Sequence, residues 1–196
     1  KEGRRILFVG RNFVRKGGPL VVQAFTILRK KYLWSAELYL AGAKESDIRD
    51  ALRERQIRVE EVDWQKIHLL GDLGSEKLTD YYNLCDVFCM PSYFEAYGLV
   101  FAEALTYGLP CIGRDKFAMS EFIEDGCTGR LISGEDAEEL ALDLWEVLQD
   151  PKYREEVERR REWYLREYSW DKVAQRICSV MEKNERDKDQ YRSAGV

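Results

Sequence analysis

The sequence has few of the residues that build the commonest metal and nucleophile sites. His68 is the only histidine among 196 residues, and no two of the five cysteines are spaced as in a zinc ribbon or a thioredoxin motif. A histidine-rich metal site and a cysteine–histidine hydrolase therefore lose their main support. We expect reduced thiols, with Cys85, Cys89 and Cys111 packed in buried strands, and we interpret His68 as a hydrogen-bonded residue of a buried strand.

The sequence also lacks an excess of positive charge and long apolar runs. Acidic residues number 36 against 31 basic ones, and this net charge of −5 disfavours nucleic acid as the main partner. No apolar run approaches the roughly 18 residues of a membrane span, and the opening KEGRR leads into a short ILFVG run that is unlike a signal-peptide core. We therefore expect a cytoplasmic protein with one main folded domain.

Apolar runs alternate with segments of helical periodicity up to about residue 150. This alternation is typical of an α/β fold with a doubly wound parallel sheet. The predicted strands are Ile6–Val9, Leu38–Ala41, Ile67–Leu70, Val87–Met90, Cys111–Ile112 and Arg130–Ile132. The predicted helices between and after them are Pro19–Lys31, Ser46–Arg55, Ser75–Leu84, Leu99–Tyr107 and Asp136–Leu148.

A charge-rich pair of helices is predicted after Pro151, with Ser169 as the cap of the second. The tail from residue 185 has almost no apolar content, so we expect it to fray. The candidate inward-facing residues of the two helices are Val157, Trp163, Tyr164, Val173, Ile177 and Val180.

The loop GRNFVRKGG, residues 10–18, is the first candidate binding site, because ligands of open parallel sheets bind at the carboxyl ends of the strands. Arg11, Arg15 and Lys16 precede a helix that opens at Gly17–Pro19, where free N–H groups and the helix dipole favour an anion. Phosphate is the expected ligand, and the alternative is a solvated basic loop. The loop matches neither the Rossmann GxGxxG nor the Walker GxxxxGK[ST] pattern.

The segment MPSYFEAYGLVFAEALTYGLP places two carboxylates around a predicted helix start. Eight residues of one helix would separate Glu95 and Glu103 by roughly 12 Å along the axis, too far for a paired acid and base, which typically lie about 5 to 9.5 Å apart. We expect them to hold different hydroxyl-bearing parts of one extended ligand. Apolar neighbours predict a half-buried Glu103, and the alternative is a surface glutamate. The backbone amides expected to bind a phosphate between them are those of Gly98, Leu99 and Val100.

The order of these segments resembles a known family. GR…KGG, LYLAG, IHLLGDL, YYNLCDVFCMPSYFEAYGLVFAEALTYGLPCI and SEFIEDGCTGRLI together are similar to the C-terminal donor domain of retaining GT-B glycosyltransferases of the group 1 (family-4) type, over about residues 5–170. The signature is two glutamates eight apart between a PS loop and a GLP turn. The resemblance implies a Rossmann-like C-terminal half of a GT-B fold, with residues 1–168 as the donor domain and 169–196 as a helix and frayed tail.

The resemblance implies a role for each matching residue. Arg11 and Lys16 match the basic residues that bind the donor diphosphate, and Glu95 matches the glutamate at the donor hexose, so these three are the expected catalytic residues. Glu103 matches the glutamate that binds the ribose hydroxyls. The loops near the nucleobase are Gly42–Lys44 and Leu70–Leu73. No cofactor and no metal are expected beside the nucleoside diphosphate sugar, because the two cations take the role that Mg²⁺ has elsewhere.

Two departures from the family pattern have consequences. The segment KFAMSE keeps Glu121 but neither glycine of the family's Gly-Gly-x-x-Glu, which affects the donor contacts expected near Phe117–Ser120. Family members also have an N-terminal domain that supplies the acceptor site and any peripheral membrane attachment, and the first predicted strand here begins near Arg5. We therefore expect a donor domain that transfers no sugar alone. The patch that would face the missing domain, near Phe94, Tyr97 and Phe117, is predicted to be unusually apolar.

The leading hypothesis is a metal-independent, retaining transfer of a hexose to an acceptor hydroxyl. The alternatives are a GT-B-type epimerase, a glycogen-synthase-like enzyme, and a nucleotide-sugar-binding module without turnover. The sequence leaves open which base, sugar and acceptor are used, whether retention involves a covalent intermediate, and the oligomeric state.

Overall fold

The computed structural model describes residues 4–193, and the side chains of residues 4–182. Its centre is one sheet of six parallel strands in the order β3-β2-β1-β4-β5-β6. This doubly wound order confirms the predicted fold class, and each strand covers its predicted run to within two residues. The strands are β1 (Arg5–Val9), β2 (Glu37–Ala41), β3 (Ile67–Gly71), β4 (Val87–Cys89), β5 (Cys111–Arg114) and β6 (Gly129–Ile132).

Helices connect the strands and cover both faces of the sheet. The first four and the sixth agree with the predicted helices to within about two residues, because their apolar residues recur every three or four positions. The helices are α1 (Gly18–Lys31), α2 (Glu45–Glu54), α3 (Ser75–Leu84), α4 (Leu99–Thr106), α5 (Met119–Phe122), α6 (Ala137–Gln149), α7 (Lys152–Arg159), α8 (Arg161–Glu167) and α9 (Trp170–Ser193), with single 3₁₀ turns at Val59–Glu61 and Trp64–Lys66. None of the described helices is long and apolar enough to cross a membrane.

The switch point of the sheet lies between β1 and β4. Strands β2 and β3 extend from β1 in one direction, and β5 and β6 extend from β4 in the other. Open parallel sheets bind ligands at this point, outside the carboxyl ends of the strands, because the connections on the two sides diverge and leave a crevice. The loops 10–17 and 90–98 follow β1 and β4, so both candidate loops border the crevice.

The core lies on both faces of the central strands. Phe8 of β1, Phe88 of β4 and Phe101 of α4 are fully buried, and the rings of Phe88 and Phe101 meet edge to face at 5.2 Å. Cys85, Cys89 and Cys111 are buried free thiols, which confirms their prediction as packing residues. Burial raises the pKa of the Cys111 thiol, so this residue stays a neutral hydrophobic group.

The C-terminal helices differ from the prediction. Three helices follow Pro151 instead of two, and Val157 and Tyr164 are buried as predicted. Trp163, Ile177 and Val180 are 45%, 56% and 60% exposed, so the predicted inward face is wrong at these positions. Helical spacing shows which face of a helix is apolar, but not whether another element covers it.

The start of α9 agrees with the sequence. The Ser169 hydroxyl accepts a hydrogen bond from the Lys172 backbone N–H at 3.2 Å, which confirms the predicted cap. Helix α9 continues to Ser193, residues 194–196 lie outside the described part, and both the fraying of the tail and the boundary at residue 168 stay predictions.

His68 lies on β3, which is the edge strand of the sheet. Its side chain is 40% exposed, so the predicted burial is wrong, because an edge strand is covered on one side only. The predicted hydrogen bond is present, with Nε2 3.2 Å from the Glu37 carboxylate, and the imidazole stacks on the Tyr39 ring at 4.3 Å.

Candidate functional site

The loop after β1 folds back towards the loop after β4. Gly17 has φ of +80°, and a Cβ at this position would lie 2.3 Å from the Pro91 carbonyl oxygen, so only glycine permits this approach. Inside the loop, the Lys16 N–H donates to the Asn12 carbonyl at 2.9 Å and the Arg15 N–H to the Asn12 side chain at 3.0 Å. These turns direct Lys16 towards the loop after β4.

The loop after β4 is joined to the first loop by its backbone. The Tyr93 N–H donates to the Arg15 carbonyl at 2.9 Å, and the buried Ser92 hydroxyl lies 3.2 Å from the same carbonyl and 3.1 Å from that of Phe94. The two loops therefore form one unit across the switch point.

Lys16 and Glu95 form an ion pair at the centre of this unit. Their side chains are 15% and 7% exposed, and Arg15 Nη1 lies 3.9 Å from the same Glu95 oxygen. A carboxylate buried to this degree requires a cation, and Lys16 supplies it. The structure thus brings together Lys16, which is predicted to bind the diphosphate, and Glu95, which is predicted to bind the hexose.

Helix α4 begins at Leu99, four residues after Glu95. Gly98 caps the helix with φ of +79°, and the first N–H groups of a helix have no partner within it. Leu99, the first helical residue, is 57% exposed, so this end of the helix is open to solvent. The start of α4 therefore offers backbone donors and the positive end of a dipole to an anion.

At the start of α1, the N–H groups of Gly17 and Gly18, which were predicted to be free, are bonded inside the loop. The Gly17 N–H donates to the Val14 carbonyl at 3.0 Å, the Gly18 N–H donates to the Phe13 carbonyl at 2.8 Å, and Pro19 has no N–H. The tight turns that direct Lys16 use these donors internally. The Lys16 side chain and the start of α4 are therefore the candidate anion-binding groups at this edge.

Glu103 is exposed, so its predicted half-burial is wrong. Its carboxylate accepts a hydrogen bond of 2.9 Å from the hydroxyl of Tyr82, a buried residue of α3 that stacks on Tyr107 at 5.3 Å. Burial and the charge of Glu103 raise the pKa of Tyr82, so the phenol stays protonated and donates. Sequence reasoning missed Tyr82, because its partner lies on a different helix.

The third part of the site lies at the ends of β1, β2 and β3. Arg11 pairs with Asp72 through two contacts of 3.0 and 3.1 Å, and both side chains are more than half exposed. Gly42 has φ of +97° and lies so close to the first loop that a Cβ would come within 2.9 Å of the Arg11 nitrogen. A cavity of about 130 Å³ lies here, lined by Gly10, Arg11, Gly42, Asp72, Leu73 and Leu78.

The predicted nucleobase loops therefore meet at this cavity. The Gly42 N–H donates to the Gly71 carbonyl at 2.6 Å, which joins the loops after β2 and β3. Leu70 is half-buried at the end of β3, immediately before this contact. The predicted site residues in the loops after β1 to β4 thus lie at the carboxyl edge of the sheet, and Glu103 lies one turn into α4, which begins at that edge.

Three exposed aromatic side chains lie on the loop after β4 or against it. Phe94, Tyr97 and Phe117 are 50%, 49% and 51% exposed, so the predicted apolar patch is present at the surface. Phe117 adopts φ of +56°, a conformation that costs a non-glycine residue free energy, at the first glycine position of the Gly-Gly-x-x-Glu pattern that the resemblance implies. Its ring contacts Phe94 edge to face at 5.1 Å. Within the described residues, no group of three or more His, Cys, Asp or Glu side chains could hold a metal ion.

Comparison with known proteins identifies the family. The profile of the family described as "Glycosyl transferases group 1" matches residues 1–163. The chain is 28% identical over 182 residues to an uncharacterised glycosyltransferase of Methanocaldococcus jannaschii, covering 91% of this chain and 45% of the relative. It is 28% identical over 184 residues to a phosphatidyl-myo-inositol mannosyltransferase of Mycolicibacterium smegmatis, covering 93% and 46%. The chain thus spans about half the length of these relatives.

Solved structures agree with this result. A sucrose-phosphate synthase from Thermosynechococcus elongatus shares 25% identity with a TM-score of 0.78, over 95% of this chain and 46% of that one. The Anabaena protein HepE in complex with UDP-glucose shares 18% identity with a TM-score of 0.76, over 92% and 49%, and therefore supports the fold alone. The chain belongs to the glycosyl transferases group 1 family, and its fold is the Rossmann-like domain of a GT-B glycosyltransferase.

Proposed function

We propose that the chain binds a nucleoside diphosphate sugar at the carboxyl edge of the sheet, across the switch point between β1 and β4. The observation that carries this proposal is the buried Lys16–Glu95 pair beside the open start of α4. A cation, a carboxylate and a row of backbone N–H groups at one place match a ligand that has both a diphosphate and sugar hydroxyls. Two structural neighbours of the same fold were solved with UDP and with UDP-glucose, and we extend this ligand class to the chain as part of the proposal.

Each group of the site matches one part of such a donor. Lys16, Arg11 and the amides of Gly98, Leu99 and Val100 bind the diphosphate, while Glu95 binds hydroxyls of the hexose. When the glycosidic bond breaks, negative charge develops on the leaving diphosphate, and these fixed cations and dipoles stabilise it. Because side-chain cations serve this purpose, the proposal includes a reaction without a divalent metal.

The remaining contacts extend along the same edge. Glu103, held by Tyr82, binds the ribose hydroxyls. The loops at Gly42 and Leu70, with the cavity of about 130 Å³ next to Arg11, enclose the nucleobase. Arg11 reaches the diphosphate by leaving Asp72, which costs little because a pair this exposed contributes at most about 1 kcal/mol.

The proposed reaction is retaining transfer of a hexose to an acceptor hydroxyl, in a protein about twice as long as this chain. Matching relatives include a mannosyltransferase and an N-acetylglucosaminetransferase, which supports transfer of a hexose or its derivative. The other half of such a protein supplies the acceptor site and any attachment to a membrane surface. The chain alone leaves the donor open to water, so slow donor hydrolysis is the most that it catalyses.

The test is titration calorimetry of the chain with UDP-glucose, GDP-mannose and ADP-glucose, each with and without a metal chelator. We expect one of them to bind, with the same affinity in chelator. Loss of binding in chelator would refute metal independence, and no binding by any of the three would refute the donor site. An assay with radiolabelled donor should show no transfer to added sugar or inositol acceptors, whereas measurable transfer would indicate a complete single-domain enzyme.

The same assay separates the alternatives. A change in the stereochemistry of the free donor sugar would indicate an epimerase, and growth of a glucan primer would indicate a glycogen-synthase-like enzyme. Binding without hydrolysis, and without transfer when the sequence is joined to an acceptor domain, would indicate a binding module.

A further inference from the structure

Arg114 at the end of β5 is a buried cation that the donor site does not use directly. It is 4% exposed, and no carboxylate of the described residues lies within ion-pair distance of its guanidinium. Its Nη1 donates to the Gly134 carbonyl at 2.6 Å and its Nη2 to the Pro91 carbonyl at 3.4 Å, while Nε has no hydrogen-bond partner. A buried charge without a carboxylate partner is costly, by several kcal/mol before compensation.

The buried guanidinium of Arg114 joins two loops. The two carbonyls belong to two different loops, one after β4 and one after β6, and a planar guanidinium can donate to both at once. A lysine carries all three of its donors on one nitrogen and lacks the planar fork, so it would not reproduce the two bonds and the contact with the Tyr93 ring together, and an apolar side chain has no donor.

The guanidinium of Arg114 also supports the ring of Tyr93. Its Cζ lies 4.7 Å from the ring centroid, and the Cζ of Arg55 lies 5.3 Å from the same centroid. The Tyr93 hydroxyl donates to Glu135 at 2.7 Å and accepts from Arg55 Nη1 at 2.9 Å. Two cation–π contacts and two hydrogen bonds therefore fix the side chain of a loop residue two positions before Glu95.

The Pro91 carbonyl is the point where this support reaches the first loop. Arg114 donates to it from one side, and Gly17 approaches it so closely that no Cβ fits between them. Gly17 directly follows Lys16, and the Tyr93 N–H bonds to the carbonyl of Arg15. A displacement of Pro91 or Tyr93 would thus move both members of the Lys16–Glu95 pair.

We propose that Arg114 is a positioning residue that fixes the loops after β1 and β4 against each other, and so sets the distance between the cation Lys16 and the carboxylate Glu95. Its effect on donor binding rests on the proposed function, whereas its effect on the two loops does not. Arg114 touches no ligand in this proposal, because its guanidinium is buried beneath the loop that carries Glu95.

The first test needs no donor. Native-state amide hydrogen exchange of the chain is compared for Arg114→Lys, for Tyr93→Leu, and for the matched control Arg29→Lys. Arg29 is a half-buried arginine that bonds the Ala36 carbonyl at 2.7 Å, pairs with Asp63 at 2.8 Å and lies near the Phe25 ring, but at the other end of α1.

We expect both Arg114→Lys and Tyr93→Leu to speed hydrogen exchange at the backbone amides of residues 93 and 16 by about tenfold or more. The exchange rate of the Leu7 amide in β1 should change much less. The control should leave the Tyr93 and Lys16 amides within about twofold of the unmodified chain. Equal acceleration at Leu7 would mean a general loss of stability, and unchanged exchange at Tyr93 and Lys16 would mean no support of the loops. Either result overturns the proposal.

The second test uses the nucleotide sugar that binds in calorimetry, beside its free nucleoside diphosphate. Arg114→Lys should weaken binding of the nucleotide sugar about tenfold and binding of the free diphosphate less. The reason is that Glu95, which is proposed to bind the hexose, lies on the loop after β4. In a Glu95→Gln background, Arg114→Lys should reduce the affinity for the nucleotide sugar clearly less, because the two residues act as a unit. Additive losses would overturn the link to Glu95. If no nucleotide sugar binds the unmodified chain, the proposed function fails, and the exchange experiment still decides the role of Arg114.

Discussion

Two carboxylates of the described residues, Glu95 and Asp143, are each 6% exposed and paired with a cation, but they are held in different ways. Asp143 lies in the middle of α6 and pairs with Arg130 of β6 at 3.0 Å, so the pair joins two regular elements. Glu95 and Lys16 lie on two irregular loops. The two pairs are therefore equally buried, and they differ in the backbone that carries them, regular elements for Asp143 and loops for Glu95.

The surroundings of the two pairs differ in the same direction. Burial raises the pKa of Asp143 even though Arg130 opposes this shift, and Asp125 lies 3.4 Å from Arg130 as a further partner. The Glu95 pair has the open start of α4 and exposed aromatic rings beside it instead. We interpret the first pair as a link between β6 and α6, and the second as a pair that a ligand can enter.

The largest effect is expected at the pair of Arg130 and Asp143. Arg130→Met should lower the free energy of unfolding by about 3 kcal/mol near neutral pH, because it leaves the Asp143 charge buried without its cation. A carboxyl whose pKa is higher in the folded than in the unfolded chain destabilises the fold above that pKa, and this penalty disappears as the pH falls below its unfolded value. The loss should therefore shrink in acid.

Urea denaturation at about pH 7 and about pH 4 measures this difference. The control Lys152→Met removes an exposed cation near the same helix and should change stability by less than about 0.5 kcal/mol. An equal loss at both pH values would contradict the electrostatic explanation. Donor binding should be unaffected by Arg130→Met.

The next effect concerns binding at the other pair. Lys16→Ala should weaken nucleoside diphosphate binding by about 1.5 to 3 kcal/mol, the usual range for a hydrogen bond to a charged group. It should destabilise the fold less than Arg130→Met does, because Arg15 already lies 3.9 Å from Glu95 and can replace the lost cation. Calorimetry and urea denaturation on the same samples measure both quantities.

The matched control for this change is Lys30→Ala. Lys30 also pairs with a glutamate, Glu61 at 2.9 Å, but on the exposed surface away from the carboxyl edge. Its loss should leave nucleotide affinity unchanged. Equal affinity in Lys16→Ala and in the unmodified chain would exclude Lys16 from the diphosphate site.

A smaller effect separates the two glutamates of the signature. Glu103→Gln should weaken the bare diphosphate and the nucleotide sugar alike, by about 1 kcal/mol, because both contain the ribose. Glu95→Gln should weaken the nucleotide sugar more than the bare diphosphate. Tyr82→Phe removes only the hydrogen bond that orients Glu103 and should reproduce part of its effect. If both glutamate variants lose the bare diphosphate equally, the assignment of Glu95 to the hexose is wrong.

The smallest effect concerns the aromatic patch near Glu95. Asp143 has no such patch beside it among the described residues. We expect the chain to self-associate weakly through Phe94, Tyr97 and Phe117, and Phe94→Ser should raise the dissociation constant about twofold or more. Sedimentation velocity over a concentration series measures it. The control Trp34→Ser removes a side chain that is 76% exposed, outside the patch, and a similar change there would mean that association is not specific to the patch.

The sequence was sufficient to predict the sheet, because strands buried on both faces appear as short apolar runs, and the helices between them as three- and four-residue spacing. It also indicated both candidate loops, since ligands of open parallel sheets bind at the loops that follow the strands. It failed at Trp163, Ile177 and Val180, whose exposure depends on which elements cover α8 and α9. It failed at Glu103 for the same reason, because apolar neighbours along a helix do not determine what covers one position.

What the sequence determined by itself was therefore local or periodic: the alternation of strand and helix, the capping serine at residue 169, and the spacing of Glu95 and Glu103. What only the tertiary structure decided was pairing across the chain. It joined Lys16 to Glu95, Tyr82 to Glu103 and Arg114 to Pro91. These partners are 79, 21 and 23 residues apart. Only the packed sheet brings such groups within hydrogen-bond distance, because sequence patterns carry no information on which distant loops meet at one edge.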